Sequence, residues 1–176
     1  GAGQHQPGRT MNLPRSAALV VLVTLIACEA QPDSAVPMPP TVPASAARVT
    51  MAEFGGLRWL EGRWTGREGD GDPFFFESYQ YLDDSTIRSY DFVDSTMTTP
   101  RDSGLISWRG GQVTSGVPTS WFATTLDSGF VEFQRLDDAS RGFSWRRVDA
   151  QSWVARLTWD SSGVPRARLY EMKRAR

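Results

Sequence analysis

Histidine and cysteine are almost missing from this chain. Its one histidine, His5, stands far upstream of anything that reads as folded, and its one cysteine, Cys28, has no second thiol to pair with. A lone cysteine excludes an intrachain disulfide. Between residues 51 and 176 neither type occurs, which removes Ser-His-Asp and Cys-His nucleophilic arrangements and histidine-bound zinc. Paired carboxylates remain at Asp83-Asp84 and Asp137-Asp138. Both pairs fall at turns between extended segments, where aspartate capping the backbone accounts for them better than acid–base work. Asp70-Gly71-Asp72 opens like a calcium loop, yet Phe74 and Phe75 stand where oxygen ligands or the required glycine belong. No catalytic residue, cofactor or metal is expected, and the chain reads as a non-enzyme.

An excess of positive charge is lacking too. All 20 acidic residues lie beyond position 28, and Arg9 and Arg15 lie before it, so a chain starting at Cys28 carries 17 basic residues against 20 acidic ones, a net charge of −3. That excludes general nucleic-acid binding, which needs a clustered basic surplus. Long apolar runs are also absent. The longest, Ala17 to Ala27, has 11 residues, whereas a membrane-spanning helix needs about 20.

That short run has a specific setting. Met11-Asn12-Leu13-Pro14-Arg15-Ser16 supplies a start and one positive charge, and the apolar core after it has the length of a secretory signal. Its end, Leu25-Ile26-Ala27-Cys28, resembles the lipobox of bacterial lipoproteins. The resemblance implies that 11–27 is a signal peptide and that Cys28 becomes a lipidated N-terminus anchored in the cell envelope. Glu29 follows Cys28 in place of the Asp associated with inner-membrane retention, so the expected site is the outer membrane, facing the periplasm. Residues 1–10 contain no Met and read as an upstream extension or cloning remnant. From 28 to 49 the chain is dense in Pro, Ala and Ser without periodicity. Proline removes donors and fixes φ, so this stretch is expected to be an extended linker, reaching about 3 Å per residue.

What is abundant is aromatic: seven Trp, nine Phe and four Tyr, which favour strands. Residues 50–176 form the folded unit. Thr50-Met51-Ala52-Glu53 has the spacing of a capping box, and Phe54, Leu57 and Leu60 follow at helical intervals. Gly55-Gly56 weakens such a helix, so it is expected to dock as an amphipathic plug on a barrel end. Extended segments follow at 74–82, 85–93, 104–109, 120–126, 130–136, 142–148, 152–159 and 165–173. With the segment around Trp64 they make about nine. Short turns rich in Asp, Ser and Gly separate most of them, so consecutive segments pair antiparallel. Trp153, Ala155, Leu157 and Trp159 share one strand face. The expected fold is all-β, a single up-and-down antiparallel barrel with a short N-terminal capping helix, since closure removes exposed edges.

The stretch Gly62-Arg63-Trp64-Thr65-Gly66 resembles the G-x-W start of the first strand in the calycin superfamily, the lipocalins and their relatives. With the glycine-rich loop through Gly71 and Pro73 it also looks like the opening of nitrobindin-type domains. The ending, from Phe143-Ser144-Trp145 to Glu171-Met172-Lys173-Arg174, is similar to lipocalin-like domains of uncharacterised bacterial proteins. In lipocalins a basic side chain of the last strand covers the Trp of the first. The resemblance implies that role for Arg174 or Arg168 over Trp64, with Gly62 and Gly66 framing it. Nitrobindin-like domains bind haem through a histidine. None is available within 51–176, so no haem is expected.

Small-molecule binding is the function left. Barrels of this size can enclose one ligand. Polar and aromatic residues alternate at Glu77, Tyr79 and Tyr81, at Arg88, Tyr90 and Phe92, at Trp108, and at Arg168 and Tyr170. If those faces point inward, Tyr79, Arg88, Tyr90, Trp108, Arg168 and Tyr170 are the ligand-binding candidates, and Arg88 or Arg168 would meet an anionic head. If they point outward, these are ordinary surface residues whose stems cover apolar area. The expected function is a lipid-anchored envelope protein binding a small hydrophobic or amphipathic molecule. The alternative is a filled barrel acting through its outer surface on a protein partner.

Overall fold

A computed structural model describes residues 45–175. The upstream stretch 1–10, the leader 11–27, Cys28 and most of the linker lie outside the described residues.

The first described element is a helical cap. Thr50 opens helix α1 (Met51–Gly55), and the capping box is complete. The Glu53 amide donates to Thr50 Oγ1 at 3.2 Å, and Glu53 Oε2 accepts from the Thr50 amide at 2.7 Å. These bonds satisfy amides that the first turn leaves without carbonyl partners. A 3-10 turn (Gly56–Leu60) continues the element. Phe54, Leu57 and Leu60 are wholly buried, so the short helix is held by docking rather than by its own propensity.

Gly62 then turns the chain into the first strand with φ of +126°, a region that side chains disfavour. A Cβ there would also fall 2.2 Å from an Arg174 guanidinium nitrogen. Ten strands follow: β1 (Gly62–Arg67), β2 (Phe75–Asp83), β3 (Thr86–Phe92), β4 (Pro100–Arg109), β5 (Gln112–Ser115), β6 (Trp121–Asp127), β7 (Phe130–Arg135), β8 (Gly142–Arg147), β9 (Ser152–Ser161) and β10 (Val164–Arg174). Each pairs antiparallel with its sequence neighbours, and β10 pairs with β1 to close the barrel. The closing register sets Trp64 opposite Arg174 and Gly66 opposite Met172.

The architecture expected from the sequence is therefore present, with one strand more. The addition is β5, four residues with a single large apolar side chain, Val113, which is too little periodicity to stand out. The linker also ends sooner than expected. The Ala47 amide donates to the Ala123 carbonyl at 2.8 Å and the Val49 amide to that of Gly111 at 2.9 Å. Burial of the Val49 side chain and a 2.6 Å bond from the Trp108 indole to its carbonyl fix the last linker residues to the barrel wall. Among the described residues no helix is long and apolar enough to cross a membrane.

Aspartates make the hairpin turns. Asp83, Asp127, Asp138, Asp149 and Asp160 each accept from a backbone N–H two or three residues ahead, at 2.6 to 3.0 Å. Asp83 and Asp138 each belong to a carboxylate pair noted in the sequence, and their work is local capping, while Asp84 and Asp137 bind Arg58 and Arg135.

Candidate ligand-binding site

Strand alternation decides what faces the barrel interior. Ile87 on β3 and Ile106 on β4 are buried in the core, as are Tyr79 on β2 and Trp153 on β9. Their even-spaced neighbours share that face. The cap fills one end of the interior, where Phe54, Leu57 and Leu60 meet Trp64, Ile87, Ile106 and Val113. The Trp64 indole donates to the Leu60 carbonyl at 2.7 Å, locking the 3-10 turn to the first strand. Over the outer side of Trp64 lies Arg174, its guanidinium 4.3 Å from the ring centroid and 3.1 Å from the Glu61 carbonyl. Of the two arginines named for that position, Arg174 occupies it.

The other end is open. A cavity of about 780 Å³ begins at the mouth and runs down to Trp153, Tyr79 and Met172. Its wall is largely aromatic, with Phe75, Tyr79, Trp121, Phe143, Trp145, Trp153, Trp159 and Tyr170 all contributing. The rings brace one another. Tyr79 stands edge-on to Trp145 at 5.6 Å and to Trp153 at 6.0 Å, while Phe75 stands edge-on to Tyr170 at 5.5 Å. Such contacts hold the wall without filling the space it surrounds. Leu157, 40% exposed, is an apolar side chain at the mouth. Gly66 makes way for two of the lining side chains. A Cβ there would meet the Phe75 ring at 2.2 Å and the Met172 sulfur at 2.5 Å.

Charge enters this wall at three places. Arg168 and Arg141 stand near the rim, and each already has a carboxylate, Glu68 at 3.0 Å and Asp138 at 3.2 Å. Glu77 is set deeper, on the same face of β2 as Phe75 and Tyr79. Its carboxylate accepts from the Tyr79 hydroxyl at 2.8 Å, and among the described residues no cation pairs with it. Burial raises the Glu77 pKa above the ordinary carboxylate range, and Asp91 across the β2–β3 ladder pushes it the same way. The Tyr79 phenol is driven well above its usual value, chiefly by burial and then by Glu77, so it remains a neutral donor.

Glu77 and Tyr79 also border a second recess of about 380 Å³, which Asp91, Asp102 and Ser89 line with polar atoms. Asp91 binds Arg101 through one oxygen, and its other oxygen, Oδ1, is buried without a partner. Among the described residues no three of His, Cys, Asp and Glu are grouped so as to hold a metal ion.

Of the six residues expected to bind ligand, Tyr79, Arg168 and Tyr170 line the large cavity. The other three do not. With Ile87 inward, Arg88 and Tyr90 turn to the opposite face of β3, where the Tyr90 ring lies 6.1 Å from that of Phe92 and the residue borders only the smaller recess. Trp108 sits at the capped end, engaged with Val49. The anionic-head role considered for Arg88 therefore has no basis, and Arg168 is already paired. The sequence reading did not select Glu77, Phe75, Trp145 or Trp159. The signal for them was the shared face of Trp153, Ala155, Leu157 and Trp159, which marks the inner surface once a neighbouring register is known. Comparison with family models, with curated proteins and with solved structures finds no match for this chain.

Proposed function

We propose that this chain is a carrier or sensor that holds one small amphipathic molecule in its barrel, and that a lipid on Cys28 fixes it to the cell envelope. The observation that carries the reading is the open cavity of about 780 Å³ walled by aromatic rings. Ligand sites are typically concave, largely apolar and about 300–1,000 Å³, with few polar groups to set orientation. A barrel acting only through its outer surface would gain stability by packing that space with side chains, as the capped end does. The likeness to calycins, resting on Gly62-x-Trp64 and on Arg174 over the Trp ring, agrees with a binding role. The anchor rests on the charged start, the apolar core and the Cys28 position, read together in one window. The outer membrane, periplasmic side, is the location that Glu29 favours.

The direct test is native mass spectrometry of the protein purified from its own envelope under mild detergent. A discrete mass increment that disappears on denaturation is the expected result. Apo protein alone, from several growth conditions and with no apolar molecule taken up on addition, would overturn the binding role. Cys28→Ala should release the protein from the membrane fraction, and continued fractionation with membranes would remove the anchor.

A further inference from the structure

We infer that the molecule held in the barrel is a protonated amine with an apolar body, its ammonium group seated against Glu77 between the aromatic wall and the polar recess. This rests on the binding reading above and specifies the ligand class. Three observations on the wall converge.

The first is the sign of the available charge. Both cations bordering the cavity, Arg141 and Arg168, are at the rim and already neutralised by Asp138 and Glu68. An anionic headgroup would have to compete there with carboxylates already in place. Glu77, the one carboxylate in the cavity wall, has a hydroxyl donor but no cation among the described residues. A desolvated carboxylate is costly unless it is paired, so the site favours a positive group.

The second is donor demand. Tyr79 supplies one hydrogen bond to Glu77, while Asp91 Oδ1 is buried with none. Glu77 and Asp91 both border the smaller recess, which shares Glu77 and Tyr79 with the large cavity. Two acceptors short of donors suit an ammonium, which brings three N–H groups and no acceptor. A neutral alcohol brings one, and a carboxylate brings none.

The third is the wall itself. Tyr79, whose hydroxyl binds Glu77, stands edge-to-face with Trp145 and Trp153 in the cavity wall, with 5.6 to 6.0 Å between the three ring centroids. Ring faces attract cations, most strongly where water is excluded. The same rings, with Phe75 and Tyr170 above them, take up an alkyl or aryl body that reaches toward the mouth. A carboxylate among aromatic rings thus recognises both halves of one amphipathic cation.

The test compares three probes of one length, octylamine, 1-octanol and octanoate, titrated into the full chain at neutral pH by calorimetry. Octylamine should bind roughly tenfold tighter than octanol, as expected for a charge-assisted contact, with octanoate weakest. Glu77→Gln keeps an acceptor for Tyr79 and removes the charge. It should bring octylamine to within about threefold of octanol. Octanol binding as tightly as octylamine would overturn the amine assignment and leave the binding role standing. So would a Glu77→Gln variant that keeps the full preference. Failure of all three probes to bind would overturn both. The ranking on the unaltered protein decides the matter by itself if the variant does not fold.

Discussion

Glu77 behaves unlike every other perturbed carboxylate in the barrel, and the difference is visible in how acid should act on it. Burial and the neighbouring Asp91 raise its pKa in the folded protein. A raised value means that the folded state holds the proton to higher pH than the unfolded chain does. Stability from that proton is complete below the ordinary glutamate value of about 4.3 and is lost as pH rises through the folded one. Tyr79 stays neutral over this range, so it does not mask the effect. Glu77→Gln has no such loss. Its melting temperature should match that of the unaltered protein near pH 4 and exceed it at pH 7, with ligand absent. A difference that does not change with pH would mean that the side chain is better solvated than its surroundings suggest.

At the scale of elements, the turn aspartates carry the opposite sign. Hydrogen bonds from Ser85, Ser140 and Gln151 hold Asp83, Asp138 and Asp149 below the usual carboxylate range. Their contribution is present above an ordinary pKa near 4 and fades as pH falls through the depressed values. These turns were legible in the sequence because the chemistry is local: an aspartate, two residues, and an N–H within reach. The capping box was legible for the same reason. Strand β5 was not, since Val113 alone gives no alternation, and the inward face of β3 was not, since Arg88-Ser89-Tyr90-Asp91 alternates without an apolar side. Only the cross-strand register with β4, which brings Ile87 opposite Ile106, decides it. The cap offers a graded test of local against long-range support. Thr50→Ala removes the box and should cost about 1 kcal/mol. Phe54→Ala empties a wholly buried position and should cost about 3–5 kcal/mol in chemical denaturation. Equal costs would mean that the helix contributes little through docking.

On the scale of the whole molecule, the two ends of the barrel use the same residue types for different ends. At the capped end Trp64, Ile87, Ile106 and Val113, with Phe54, Leu57 and Leu60 of the helical turns, are each no more than 1% exposed. At the open end the rings stand against one another around an empty centre. A protein that needed only stability would gain by filling that centre, because each buried methylene group is worth about 0.8 kcal/mol. Ala155 marks the difference. It lies between Trp145 on β8 and Tyr170 on β10, the smallest side chain on that stretch of wall, and it lines the cavity. Ala155→Trp would project a ring into space now free, where overpacking has nothing to push against. It should leave the melting temperature within a few degrees of the original or raise it, in contrast to the loss of about 1–3 kcal/mol usual for enlargement in a packed core. The same substitution should weaken octanol and octylamine alike, by about fivefold or more, a loss of at least about 1 kcal/mol. Unchanged affinity for both would place the bound molecule elsewhere on the protein. A large loss of stability would show that the cavity closes in solution and that the rings, rather than a guest, fill it.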